Sequence, residues 1–347
     1  MISSCKNWTR DCLWTLTVIA AVILLWSGVL SEAQESNVAG PGMAMSRKTL
    51  LIWEYDFGTT ELSLRSESNP KGIWMPNDQT WQNPMQGYED FAAKTCSTSD
   101  VTSGICDIPG GTFDINPNDP TMNGISPFLR RDGALTIEAF RTTASLYSAI
   151  QAELVAQGVK GPVPSFVGGR LMTNPEAFPG FTYGYFEFCV AFPNGGAGMF
   201  PALWFYATPK SKANVGKENA EIDLLEYLGH SNHFYTTVHF WDEGARAKRD
   251  LAQQVGSHAG VIDGLFHTYA LDWTPDHLDI YFDRRRIYSA SDVAVKWFRG
   301  VSLSPVMDYV IGAPWMITNA ELRPNSATPD PLMMQVRYVR LYSRRPF

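Results

Sequence analysis

Short runs in which apolar side chains occupy every second position recur along most of this chain. A polypeptide built that way can bury its apolar positions together only as sheet. Leu135, Ile137 and Ala139 alternate with Thr136 and Glu138, and Phe186, Phe188, Val190 and Phe192 alternate with Tyr185, Glu187, Cys189 and Ala191. Thr236, Val238 and Phe240 alternate with Thr237, His239 and Trp241; Leu278, Ile280 and Phe282 alternate with Asp279 and Tyr281; residues 336–342 repeat the pattern. Turn-forming stretches such as Pro193-Asn194-Gly195-Gly196 and Thr274-Pro275-Asp276 separate the runs. The 28 glycines and 22 prolines of the 347 residues suit many such turns. A hydrophobic share of 45% excludes a disordered chain, and a charged share of 18% is too low for a charge-laced coiled coil.

One interval departs from the alternation. Between residues 144 and 158, Leu146, Ile150 and Leu154 recur at every fourth position, which predicts a short helix inserted between strands. No linker, charge block or internal repeat divides residues 47–347. The expectation is therefore one all-β domain, an antiparallel β-sandwich of jelly-roll type carrying a short inserted helix.

The first residues read as a separate segment. Lys6 and Arg10 precede an uncharged run over 13–30, followed by Ser31-Glu32-Ala33. This pattern predicts a signal peptide or a retained N-terminal membrane anchor over 1–33, with a flexible lead-in over 34–46. Either places the remaining chain outside the cytoplasm, with membrane contact only through that segment. The net charge of −7 repels phosphate backbones, so no nucleic-acid partner is expected. Cys5 and Cys12 fall in the leader; Cys96 and Cys106 can close a small loop in an exported chain; Cys189 reads as a buried free thiol. No Cys/His cluster has metal-site spacing, so neither metal nor cofactor is expected, and the chain is expected to be a monomer.

The chemistry-bearing segment is Glu221-Ile222-Asp223-Leu224-Leu225-Glu226-Tyr227. On a helix Glu226 would stand about 140° around the axis from Glu221. On a regular strand Glu221 and Asp223 share a face while Glu226 points the other way. A one-residue β-bulge at Leu224-Leu225 restores the phase and puts all three acids on one face, with the aliphatics beneath. Mutual repulsion then has a use. Glycoside cleavage needs one ionised carboxylate to attack and one protonated carboxyl to donate, and neighbouring acids keep one of a pair protonated. A solvated acidic edge strand is the plain alternative.

The flanking residues weigh toward a concave substrate cleft. Trp204, His239 and Trp241 border the same predicted surface, and the apolar faces of sugar rings stack on indoles. Trp204 and Trp241 read equally well as cleft or core, His239 reads as cleft, and Trp53, Trp273 and Trp297 read as core.

These blocks resemble the family 16 glycoside hydrolases, the laminarinase and lichenase group of jelly-roll enzymes. The resemblance rests on Gly184-Tyr185-Phe186-Glu187, Phe200-Pro201-Ala202-Leu203-Trp204, the bulged acidic segment, the run from His267 to Asp276, and Tyr338-Val339-Arg340-Leu341-Tyr342. It implies that Glu221 is the nucleophile, Glu226 the general acid and later the base, Asp223 the assisting carboxylate, and Trp204 part of a sugar subsite. Gly168-Gly169-Arg170 resembles a Ser-Gly-Arg strand in that family, which makes Arg170 a candidate sugar contact. Two departures bear on the substrate and on metal. Many relatives carry an Asn-containing strand near 307–316, where this chain reads Tyr309-Val310-Ile311-Gly312-Ala313-Pro314-Trp315. Arg337 stands where calcium-holding relatives have an Asp, so a calcium site is not expected.

The resulting expectation is retaining endo-hydrolysis of a β-linked polysaccharide, β-1,3- or mixed β-1,3/1,4-glucan. The alternatives are transglycosylation, trimming of an exopolysaccharide, and a polysaccharide-binding protein without catalysis. The two carboxyl groups should approach to about 5–5.5 Å. Their Cα atoms would be roughly 13 Å apart on a straight strand, so the strand is expected to curve.

Overall fold

The alternating runs pair into sixteen strands among the residues described by the computed structural model, which are 50–76, 112–156, 163–229, 233–240, 255–256, 263–312 and 322–347. The segment 1–46 read as leader and lead-in, Cys96 and Cys106 with their expected loop, Trp241 and Trp315 lie outside the described residues. Numbered in chain order, one layer holds β1 (Leu51–Asp56), β4 (Phe128–Arg131), β5 (Ala134–Arg141), β7 (Gly184–Ala191), β12 (His267–Trp273), β13 (Leu278–Phe282), β14 (Arg285–Ser289) and β16 (Leu332–Tyr342). The other holds β2 (Trp74–Pro76), β6 (Phe166–Thr173), β8 (Met199–Ala207), β9 (Glu221–Tyr227), β10 (Phe234–His239), β11 (Val255–Gly256) and β15 (Leu303–Ile311).

Pairing of β5 with β6 joins the layers, so the strands run in the spatial order β11-β10-β9-β8-β15-β6-β5-β16-β7-β12-β13-β14. All of these pairs are antiparallel; a short strand β3 (Thr112–Asp114) lies parallel to β6. The jelly-roll sandwich anticipated from the alternation is what forms, with about 12% helix.

The alternation sets the core. Phe186, Phe188 and Val190 from β7, Leu271 and Trp273 from β12, and Ile222, Leu224 and Leu225 from β9 meet between the layers, all at 5% exposure or less. Phe186 of one layer stands edge-on to Phe205 of β8 in the other, with ring centroids 5.1 Å apart. Truncating such a residue to Ala would cost about 3–5 kcal/mol through lost transfer energy and the cavity left behind. Trp273 is fully buried, and Trp53 and Trp297 pack against the same cluster, as the sequence suggests. Cys189 is a buried free thiol, its pKa pushed up to about 11 by burial.

Helix α1 (Ala144–Ala156) occupies the interval where the alternation breaks. Its Leu146, Ile150 and Leu154 are buried against Phe113, Ile115 and Met122, forming a satellite core. A second helix, α2 (Asp292–Trp297), escaped the periodicity because six residues are too few to show it. The local signal that marks it is Ser291, whose Oγ accepts from the Ala294 N–H at 3.3 Å as an N-cap.

At Gly168 the sheet needs a residue without a Cβ. A Cβ there would come within 2.3 Å of the Tyr309 carbonyl oxygen. Its absence lets β6 lie close to β15 and brings Arg170 level with Asp308 in the register.

Candidate active site

On β9 the register slips where the sequence requires it. Against β8, Leu203 pairs with Leu225 and Trp204 with Asp223, so Leu224 is passed over. Against β10, Tyr235 pairs with Glu226 and Thr237 with Asp223, so the two residues Leu224 and Leu225 stand opposite the single residue Thr236. That two-against-one count is a β-bulge. The buried Thr236 hydroxyl donates to the Leu224 carbonyl at 3.0 Å, satisfying an acceptor at the point where the ladder is interrupted. Ile222, Leu224, Leu225 and Tyr227 all enter the core. Glu221, Asp223 and Glu226 are left together on the opposite face.

Directly paired residues of antiparallel strands project on the same side, so the register arranges this face in rows across the strands. One row runs His239, Glu221, Tyr206, Ser304 over β10, β9, β8 and β15. The next runs Thr237, Asp223, Trp204, Val306, Met172 and Met75, reaching β6 and β2. A third runs Tyr235, Glu226, Ala202, Asp308, Arg170. The acids thus occupy one end of a surface whose middle is Trp204 and whose far end is a buried apolar floor of Met75, Met172 and Val306.

The acids differ in what touches them. Glu226 accepts a hydrogen bond from Thr237 Oγ1 at 2.9 Å. Burial holds its carboxyl above the usual range, with the Thr237 hydroxyl and the charge of His239 pulling the other way. Asp223 is 4% exposed, and its Oδ2 lies 3.1 Å from His239 Nε2. The ligand-type atoms of Glu221, Asp223 and His239 lie within 4.8 Å of one another. This is the one set among the described residues that could hold a cation, and the His239–Asp223 contact already has the length of a hydrogen bond.

Of the flanking residues singled out in the sequence, Trp204 is half-buried on the acidic face beside Asp223, and His239 is half-buried on the strand next to the acids. Arg170 stands three strands from β9. Its guanidinium Nε lies 3.0 Å from Asp308 Oδ2, another of its nitrogens lies 3.6 Å from Asp114, and its charge sits 5.8 Å from the Trp204 ring.

Asp308 is a candidate site residue that the sequence does not mark. It lies on β15, within the strand noted there only for its lack of Asn, and no short motif marks it. Burial pushes its carboxyl up to about 6; Asp114 adds to the rise, while Arg170 and the Trp204 indole oppose it. Thr237 and Tyr206 were missed for a similar reason, since only the register shows that each stands beside a particular acid.

A face with clustered carboxylates at one end, an indole in the middle and an Arg–Asp pair beyond is suited to a chain of sugar units crossing the strands. Comparison with known proteins agrees. Residues 140–300 match the model of glycosyl hydrolases family 16. The endo-1,3-1,4-beta-glycanase ExsH of Rhizobium meliloti is 31% identical over 177 residues, which is 51% of this chain and 33% of that protein. The same organism's endo-1,3-1,4-beta-glycanase EglC is 27% identical over 250 residues, 72% of this chain and 44% of that protein. The chain thus spans less than half the length of these two relatives.

Among solved structures, the catalytic domain of an endo-1,3-beta-glucanase (laminarinase) from Thermotoga petrophila superposes with a TM-score of 0.54 at 19% identity, covering 85% of this chain and 98% of that one. The likeness there is one of fold. The matched family model and the sequence shared with the two glycanases make residues 140–300 of this chain similar to the glycosyl hydrolases of family 16.

Proposed function

We propose that the chain is a retaining endo-glycosidase that hydrolyses β-linked polysaccharide, with β-1,3- or mixed β-1,3/1,4-glucan as its substrate class. The observation that carries this reading is the bulge in β9, which turns Glu221, Asp223 and Glu226 to one face beside Trp204. A solvated acidic edge accounts poorly for that arrangement. β9 lies inside the sheet between β8 and β10, and two of its acids touch specific partners.

In this reading Glu221 attacks the anomeric carbon and forms a glycosyl-enzyme while the bond to the leaving sugar oxygen breaks. Glu226 gives its proton to that oxygen. Its environment suits the task, because burial favours the protonated carboxyl. Glu226, now ionised, then takes a proton from water, whose oxygen attacks the anomeric carbon and releases Glu221. Asp223, held at 3.1 Å by His239, orients Glu221 and supplies local negative charge. Trp204 stacks on a sugar ring and Arg170 contacts one further along. The activities named for the relatives, endo-1,3-1,4-beta-glycanase and endo-1,3-beta-glucanase (laminarinase), support this substrate class. The N-terminal pattern, Lys6 and Arg10 before an uncharged run, supports action outside the cytoplasm.

The test is to follow the anomeric configuration of the first product by proton NMR during digestion of barley mixed-linkage glucan. Retention of the β-anomer and a ladder of oligosaccharides are expected. An initial α-product, or no digestion of β-glucans at all, overturns the proposal.

A further inference from the structure

Beside the acidic face lies a concavity that the hydrolysis of a plain glucan leaves without a task. It is formed by the connection between β8 and β9 (208–220) and has a volume of about 620 Å³, enough for a sugar unit with a substituent. Its lining includes Tyr206, Thr208, Lys210, Lys212, Glu218 and Asn219. Tyr206 is the wall it shares with the acidic face. That residue pairs with Glu221 in the register, packs edge-on to Trp204 at 5.8 Å, and donates its hydroxyl to Asn219 Oδ1 at 3.0 Å.

The loop is built rather than slack. Asn214 is 2% exposed and spends its side chain on backbone, Nδ2 donating to the Thr208 and Ser302 carbonyls at 3.1 and 2.8 Å, Oδ1 accepting from Ser302 N–H at 2.7 Å. Ser302 Oγ donates in turn to Thr208 Oγ1 at 2.9 Å.

The loop's lysines divide into two kinds. Lys217 is used by the fold, its ammonium donating to the Trp297 and Arg299 carbonyls at 2.5 and 3.3 Å. Lys210 and Lys212 are exposed, line the groove, and have no ion pair among the described residues. The groove's one carboxylate, Glu218, accepts from the Gly216 N–H at 2.9 Å, which ties it to the loop's own backbone. Two ammonium groups on a rigid wall next to the nucleophile strand, in a chain of net charge −7, serve no purpose toward a neutral glucan.

We propose that this groove is a subsite for a negatively charged, carboxylate-type substituent on the sugar chain, with Lys210 and Lys212 as its specificity-determining residues. The inference rests on the glycosidase reading above and narrows its substrate to an acidic β-glycan. A charged group entering the groove exchanges bulk solvation for two donors without disturbing the reacting carboxylates.

The test uses barley glucan derivatised to equal extents with carboxymethyl or hydroxyethyl groups, which differ chiefly in charge. The full-length protein and its Lys210→Gln/Lys212→Gln variant are compared on both polymers. The wild-type protein should show a lower KM on the carboxymethyl polymer. The variant should lose about tenfold on that polymer alone, with hydroxyethyl-glucan turnover unchanged. Added salt should erode the wild-type preference and leave the variant indifferent.

Equal ratios for the two proteins overturn the subsite while leaving the hydrolase reading standing. Absence of turnover on both polymers overturns the hydrolase reading instead. In that event binding of the two polymers to both proteins by affinity electrophoresis reads the groove separately. A wild-type preference for the charged polymer that the variant lacks supports the subsite, and equal retardation overturns it.

Discussion

The two outer faces of the sandwich begin from the same material and end differently. Both flank one apolar core, and both carry carboxylates at 4–6% exposure. On the face built by β7, β12, β13 and β16, each buried acid has its own partner. Tyr338 donates to Glu187 at 3.0 Å, Arg345 lies 3.4 Å and His277 3.5 Å from Asp272, and Arg286 lies 3.3 Å from Asp279. Such pairs offset desolvation and hold the strands in register.

On the face built by β8, β9 and β10, the acids instead crowd onto one strand. His239 lies 3.1 Å from Asp223, Thr237 donates to Glu226 at 2.9 Å, and burial raises Glu226 above its ordinary range. The difference separates charge that serves folding from charge kept available for chemistry.

The largest expected break in this comparison comes from changing one acid on each face. Glu226→Gln should lower turnover of β-glucan by about 10²–10⁴-fold, because the leaving oxygen loses its proton donor. An aryl glycoside with a good leaving group should recover much of the first step. Glu187→Gln on the opposite face should leave turnover unchanged and shift only the melting temperature. If the two variants lose activity alike, the division between the faces fails.

A smaller effect is expected at the bulge itself. Thr236→Val keeps the shape of the side chain and removes the hydroxyl that bonds the Leu224 carbonyl. Leaving that buried acceptor unsatisfied should cost about 1–3 kcal/mol of stability, read from chemical denaturation. Activity should fall as well, since the bulge aligns Glu226 with Glu221. Full activity in a destabilised variant would show that the acids hold their alignment without it.

The smallest effect sharpens the electrostatic side. The Thr237 hydroxyl bonds to Glu226 and favours its ionised form, so Thr237→Val should raise the Glu226 pKa further. The acid acts when protonated, so the alkaline limb of the kcat/KM profile should move to higher pH. An unmoved limb, or one moved to lower pH, would mean that a different group sets it.

Much of this organisation was legible in the chain because it depends on near neighbours. Alternation in Phe186-Glu187-Phe188 states which residues share a face whatever the fold's topology, and Leu146, Ile150 and Leu154 mark a helix by the same local logic. The acidic segment is informative because no regular element puts all three acids on one face, so sharing a face requires an irregularity between Asp223 and Glu226. Asp308 and Tyr206 carry no comparable mark. Each joins the site only because strands distant in sequence meet at one register, Asp308 beside Arg170 across 138 positions and Tyr206 beside Glu221 across a long loop.

Periodicity and spacing alone therefore determined that the chain forms sheet, that a helix interrupts it, and that β9 must bulge to present three carboxylates. Only the tertiary structure decided which strands adjoin β9, that Thr236 supports the bulge, and that two lysines of the β8–β9 connection line a groove walled by Tyr206, the register partner of Glu221. The physical reason is that side-chain direction is set within a strand, whereas strand pairing is set by packing over the whole core.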